Sequence, residues 1–177
     1  MENKLLEFFT LRNAQPAEYP AVGQLLVRAY SQLEGFPSPT EQPDYYKILA
    51  NVGELTKAPG TEILVAVGTD EAILGCMVYY TNMQYYGPHE ISIQEEDAAG
   101  LRLLAVNPEL QGKGIGKQLT LAGIEKARRQ GKRQVILHST TAMKTARAMY
   151  EKLGFTPSAE IDFVQSGLEV YGFRYLL

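Results

Sequence analysis

The sequence predicts an α/β fold: a mixed, twisted sheet of about six or seven strands flanked by about four helices, in a single domain over residues 1–177. Three observations carry this. The apolar run Leu101–Val106, a glycine-rich turn, a long stretch of helix formers to Gln130 and the run Gln134–His138 read as strand, loop, helix, strand. Such a unit crosses over right-handed and lays its two strands parallel in one sheet. Upstream, Glu62–Val67 and Ile73–Tyr80 flank Gly68-Thr69-Asp70-Glu71-Ala72, an antiparallel hairpin. Downstream, Glu160–Gln165 and Glu169–Leu176 form a second strand pair around Ser166-Gly167.

The remaining elements follow in order. Phe8–Asn13 is a first strand. Pro16 suits a first helical turn, and Val22, Leu25, Leu26, Ala29, Tyr30 and Leu33 recur at helical spacing. Residues 34–39, with Gly35, Pro37 and Pro39, break that helix. A second runs from Pro43 to about Leu55, with Tyr45, Tyr46, Ile48 and Leu49 as its apolar set, and Pro59-Gly60 closes it. Residues 82–100 lose their period and read as a loop, with room for a short strand near Ile91–Gln94. After His138 come the cap-type residues Ser139-Thr140-Thr141, then a helix with Met143, Ala146, Met149, Tyr150 and Leu153 on one face. Gly154 suits its C′ position and Phe155 the anchor beyond it.

Composition narrows the chemistry. A single cysteine, Cys76, allows no internal disulfide, and with two scattered histidines it leaves no cluster for a metal. Cys76 falls in an apolar strand and is expected to pack there. Nowhere do about 18 apolar residues run together, and Met1–Glu7 lacks a signal-peptide core, so a cytoplasmic protein with no membrane partner is expected. The net charge is −3, yet residues 100–153 hold eleven Lys and Arg against Glu109, Glu125 and Glu151. That basic segment lacks the aromatic or groove-reading pattern of a nucleic-acid binder, so no nucleic acid is expected. A phosphate-rich cofactor accounts for it, and so do solvated helix faces.

The chain is organised around Gln111-Gly112-Lys113-Gly114-Ile115-Gly116. Glycines let a turn take positive φ and aim successive N–H groups at one point. At a helix start those amides join about four unpaired N–H groups carrying a partial positive charge, a place for a phosphate. Lys113 and Lys117 add charge. A P-loop would need glycine at Gln111 and Ser or Thr at Gln118, and a dinucleotide fingerprint would need glycine at Lys117. Both fail. The pattern that fits is Gln/Arg-x-x-Gly-x-Gly/Ala after a strand ending in Val-x-Pro, here Val106-Asn107-Pro108.

With that loop the sequence resembles the GNAT superfamily of N-acetyltransferases, and Ala146-x-x-x-Tyr150-x-x-x-Gly154-Phe155 is similar to a second segment of that family. Together the two segments span about a third of the chain. The resemblance implies a partly splayed sheet of the acyl-CoA N-acyltransferase type. It implies acetyl-CoA as co-substrate, bound by Leu104, Ala105, Val106, Gln111, Gly112, Lys113, Gly114, Ile115, Gly116 and Lys117. Acetyl-CoA would thread between the central strand and the His138 strand, its pantetheine amides meeting backbone groups of Leu104 and Val106. A backbone N–H in that stretch would hold the developing oxyanion, and Tyr150 would protonate or hydrogen-bond the departing thiolate. By itself Tyr150 also reads as a core aromatic. One departure stands out: many members carry Asn where this chain has Met143, so Ser139, Thr141 or Thr145 would have to replace it.

The implied function is transfer of the acetyl group to a primary amine of a small molecule or peptide. The alternative is a non-catalytic acyl-CoA-binding sensor or partner module. No general base is assigned: His138, Glu34 and the run Glu95-Glu96-Asp97 are candidates, beside water, and the acidic run could also form a rim that attracts a cationic amine. The acceptor pocket is expected around Glu34–Tyr46, Tyr79–Tyr86 and Asp162–Phe163, which would suit an aromatic or aliphatic amine, an amino acid, a polyamine, a peptide N-terminus or an antibiotic. An exposed final strand, Val170–Leu176, could pair across a two-fold axis as a homodimer.

Overall fold

The computed structural model describes residues 8–87 and 94–177. Eight strands form β1 (Phe9–Asn13), β2 (Thr61–Gly68), β3 (Ile73–Tyr80), β4 (Ala98–Val106), β5 (Gln134–Ser139), β6 (Thr156–Pro157), β7 (Phe163–Gln165) and β8 (Leu168–Leu176). The α-helices are α1 (Tyr19–Ser31), α2 (Pro43–Ala50), α3 (Ile115–Arg129) and α4 (Lys144–Leu153). The sheet runs β1-β2-β3-β4-β5-β8-β6, with β7 added to β8. Every neighbouring pair is antiparallel except β4 and β5, which are parallel, as the strand-loop-helix-strand unit requires.

The differences from expectation lie at element ends. Pro16–Glu18 forms a 3-10 turn before α1, which stops at Ser31, and α2 gives way at Ala50 to a 3-10 segment, Val52–Lys57. The central strand begins three residues early, because Ala98-Ala99-Gly100, weak strand formers, pair with Gln134–Ile136 of β5. The eighth strand is the two-residue β6, too short to leave a periodic signal. Residues 159–161 are a 3-10 turn rather than strand. The short strand expected near Ile91–Gln94 falls almost wholly outside the described residues. β8 pairs with β5 on one side and with β7 and β6 on the other, which removes the free edge on which two-fold pairing of that strand rested.

Each face of the sheet buries its own core. On one, α1 and α2 bring Val22, Leu26 and Leu49 against Val65, Cys76, Val78 and Tyr80. On the other, α3 and α4 bring Leu119, Ile124 and Tyr150 against Met77, Tyr79, Leu101 and Leu137. Each fully buried Leu contributes roughly 1.5–3 kcal/mol. Cys76 is fully buried, and desolvation pushes its thiol up to about 12, so it is an inert packing residue. α1 and α2 approach so closely that a Cβ on Gly23 would lie 2.2 Å from the Ala50 carbonyl oxygen. Gly23→Ala is therefore expected to lower stability by about 1–3 kcal/mol, read as a lower urea midpoint with unchanged m. An unchanged midpoint would mean that the helices part at no cost.

Candidate active site

The site is an opening in the sheet. β4 and β5 pair from Ala98↔Gln134 to Leu101↔Leu137, and beyond Leu101 no register joins them. At the same point β4 bulges away from β3: Cys76 faces Ala105 and Val78 faces Arg102, so β4 carries an extra residue there. Leu103 takes the strained left-handed conformation, φ 55°, that the bulge needs. The face assignment flips as a result. Ala99 and Leu101 pack under α3, but Leu103 and Ala105 pack toward α1, next to Arg102 on the same side. From Arg102 to Val106 the backbone edge facing β5 is released from the sheet ladder. A cleft of about 900 Å³ fills the gap.

The glycine loop closes one end of this cleft. Asn107 Oδ1 accepts the Glu109 N–H at 3.1 Å and turns the chain out of β4. Gly112 and Gly114 then take φ of 78° and 81°, Gly114 as the N-cap of α3. The first bond of the helix runs from Gln118 N–H to the Gly114 carbonyl at 3.0 Å. The N–H groups of Ile115, Gly116 and Lys117 thus have no intrahelical acceptor and carry the positive end of the helix dipole. Gly116 lies over the end of β4, with Val106 Cγ2 and Leu104 Cδ2 at 3.6 and 3.7 Å from where its Cβ would be. Of the residues expected to bind the cofactor, Leu104, Ala105, Val106, Gln111, Gly112, Gly114, Ile115, Gly116 and Lys117 line the cleft. Lys113 is exposed and does not line it.

The opposite wall comes from the end of β5 and from α4. Ser139, Thr140 and Thr141 do not cap α4, whose N-cap is Met143 with no side-chain bond. They line the cleft, where Ser139 Oγ and Thr140 Oγ1 are buried without a hydrogen-bond partner. Buried hydroxyls are normally satisfied, so two orphans on one wall mark a surface prepared for a polar ligand. Tyr150 also lines the cleft, its ring edge-on to Phe155 at 5.7 Å. Burial raises its phenol above the ordinary value, so the hydroxyl keeps its proton at neutral pH. It is a core aromatic and a cleft hydroxyl at once.

On the α1 side the cleft is aromatic. Tyr30, Phe36 and Tyr45 form one cluster, with ring centroids 5.3 to 6.3 Å apart. His138 Nε2 lies 2.8 Å from the Ile161 carbonyl, which can only accept, so Nε2 holds the proton and Nδ1 receives the Tyr86 hydroxyl at 2.9 Å. Both ring nitrogens are thereby engaged in positioning bonds. Arg102 sends Nη1 to the Tyr86 carbonyl at 2.7 Å and stands 5.6 Å from the Tyr86 ring centroid. Sequence reasoning passed over Arg102, although it is the one charged residue within Leu101–Val106.

The acidic candidates divide between the cleft and the far end of β4. Among the described residues, Glu34 is the single carboxylate lining the cleft, and it is exposed. Glu95 is held by Arg174 at 2.6 Å, and Asp97 stands 3.8 Å from Arg133, at the far end of β4. Neither they nor Glu96 line the cleft, so the acidic run forms no rim to it. Of the expected acceptor segments, Phe36, Tyr45, Tyr86 and Phe163 face the cleft. Tyr79 turns to the other side of the sheet, donating to Gln130 at 2.7 Å, and Asp162 accepts the Gly172 N–H at 2.7 Å.

The chain is similar to known proteins. The chain is 42% identical over 64 residues to mycothiol acetyltransferase of Saccharomonospora viridis, 36% of this chain and 21% of that protein. It is 39% identical over 93 residues to mycothiol acetyltransferase of Paenarthrobacter aurescens, 52% of this chain and 26% of that protein. The chain thus spans only about a quarter of the length of these curated relatives. Among solved structures, an acetyltransferase of the GNAT family from Staphylococcus aureus Mu50 superposes with a TM-score of 0.73 at 15% identity, covering 96% of this chain and 99% of that one. YncA of Salmonella typhimurium, solved with its cofactor acetyl-CoA, superposes with a TM-score of 0.66 at 19% identity, covering 96% and 94%. The family described as acetyltransferase (GNAT) family matches residues 20–155, most of the chain. With the splayed strands, the glycine loop and the α4 tyrosine in place, this chain belongs to the GNAT acetyltransferase family.

Proposed function

We propose that residues 1–177 form one acetyltransferase domain that moves the acetyl group of acetyl-CoA to a primary amine of a small molecule or peptide. The observation that carries this is the cleft between β4 and β5, which has unpaired helix-start amides at one end and the protonated Tyr150 hydroxyl inside. When bound, acetyl-CoA supplies a thioester whose acyl carbon a neutral amine can attack. The N–H groups of Ile115, Gly116 and Lys117, with the charge of Lys117, would hold the pyrophosphate. The released backbone edge of Leu104 to Val106 would bond the amides of the pantetheine arm. Ser139 and Thr140 would add hydroxyls where Met143 offers none. Tyr150 holds the proton that a leaving sulfur takes up, and the proton lost by the amine passes to solvent or a base.

This reading also explains the orphaned hydroxyls. Thr140→Val removes a buried, unpartnered oxygen at nearly constant volume. It is expected to raise the stability of the free protein by up to about 1 kcal/mol and to weaken coenzyme A binding about 3- to 10-fold. Thermal melts and calorimetric titration read the two effects, and a variant that binds as well as the parent would assign Thr140 no part in the site. Calorimetry of acetyl-CoA and CoA, followed by thiol release over an amine panel, tests the proposal as a whole. CoA binding with release on an amine supports the enzyme; binding without release on any amine supports a sensor; no binding sinks both. No helix among the described residues is long and apolar enough to cross a membrane, and the proposal places the protein in the cytoplasm with no nucleic-acid partner.

A further inference from the structure

Arg102 has no task in the reading above, and its setting is costly. The guanidinium is half-buried on the α1 side of the cleft, amid the phenols of Tyr30, Tyr45, Tyr80 and Tyr86. Burial keeps those phenols neutral, so they offer dipoles but no counter-charge. Among the described residues no carboxylate pairs with Arg102. A desolvated cation without an anion is rare unless something supplies one. One N–H of its fork goes to the Tyr86 carbonyl. The neutral Tyr80 hydroxyl stands close to the guanidinium and interacts with it, and among the described residues no charged group does.

Ala99 and Leu101 pack under α3, so alternation turns Arg102 to the α1 side, and the bulge brings Leu103 in beside it. Because Leu103 takes φ 55°, Arg102 and Leu103 fall on the same face, and Arg102 stands immediately after Leu101, where β4 leaves β5. We propose that Arg102 receives a carboxylate of the acceptor, so that the substrate of this cleft is an α-amino acid with an apolar or aromatic side chain. This rests on the acetyl-transfer reading. A planar guanidinium fork matches a carboxylate in two parallel bonds. Phe36, Tyr45 and Phe163 line the same cleft and offer aromatic surface to the side chain. A polyamine would set its own positive charge against Arg102, and Glu34, the one acidic cleft residue among the described residues, is exposed.

The test is calorimetric titration, in saturating CoA, of L-phenylalanine, L-leucine and L-methionine against their amides, with thiol release from acetyl-CoA measured in parallel. Acids are expected to bind about 10- to 100-fold tighter than amides, the range of one charge-assisted contact. Arg102→Gln should erase the preference, Arg102→Lys should restore part of it, and both should bind CoA like the parent. CoA titration and melting of the variants show that they are folded, and the acid-amide comparison in the unmodified protein needs no variant. Equal binding of acids and amides, no binding of any acid, or a preference that survives Arg102→Gln would each overturn the proposal. Any of these with CoA still bound leaves the acetyltransferase reading intact; failure to bind CoA at all removes that reading and this one with it.

Discussion

Gly114→Glu is expected to abolish coenzyme A binding, with an affinity loss of at least about 1000-fold in calorimetric titration. Two effects add. Gly114 sits at φ 81°, a conformation that costs a residue with a Cβ roughly 1–2 kcal/mol, and relaxing that strain turns the following amides away from their common focus. The new carboxylate would also sit at the positive end of α3, taking the place of a phosphate and repelling what it does not displace. Gly114→Ala separates the two, because it imposes the strain without the charge. About a 10-fold loss is expected for it. If the Glu variant binds coenzyme A as the parent does, the loop is not the anion site and the cofactor lies elsewhere. The fold itself should survive, because Gly114 is at the surface of the loop and contributes no core contact.

Tyr150→Phe should lower kcat for thiol release by about 10²- to 10⁴-fold, the usual size of a general acid contribution, while coenzyme A affinity changes less than about 2-fold. The ring and its edge-on contact with Phe155 are retained, so the variant separates the hydroxyl from the packing. The pH dependence follows from the direction of the shift. Burial raises the Tyr150 phenol, so its acid form persists through pH 10 and is lost only as pH rises beyond that. No alkaline decline below pH 10 should therefore trace to Tyr150, and the profile of the Phe variant should keep the shape of the parent's at a lower level. A Phe variant with unchanged kcat would make Tyr150 a core residue alone.

The loop, the crossover and the α4 tyrosine were legible in the sequence because each is a local property. Gly112 and Gly114 are needed wherever two positive φ angles fall at a helix start, whatever surrounds them. The parallel pairing of β4 with β5 follows from the length of the connection between them. Element ends were less legible. Ala98-Ala99-Gly100 joins the central strand only because β5 offers it partners, and Ser139-Thr140-Thr141 reads as a cap yet serves as a cleft wall.

What the sequence by itself determined was the order of elements, the glycine loop at the start of α3 and the family. What only the tertiary structure decided was the opening of the sheet and which side chains line the cleft. Alternation along Leu101–Val106 gives no sign that a residue at φ 55° will place Arg102 and Leu103 on one face. Nor does spacing show that no carboxylate among the described residues pairs with Arg102, that Glu95 is taken by Arg174, or that both nitrogens of His138 are engaged by Tyr86 and Ile161. Those pairings join residues 23 to 79 positions apart along the chain. Local propensity acts over a few residues, whereas the charge and hydrogen-bond balance of a buried group is set by whatever the fold brings beside it.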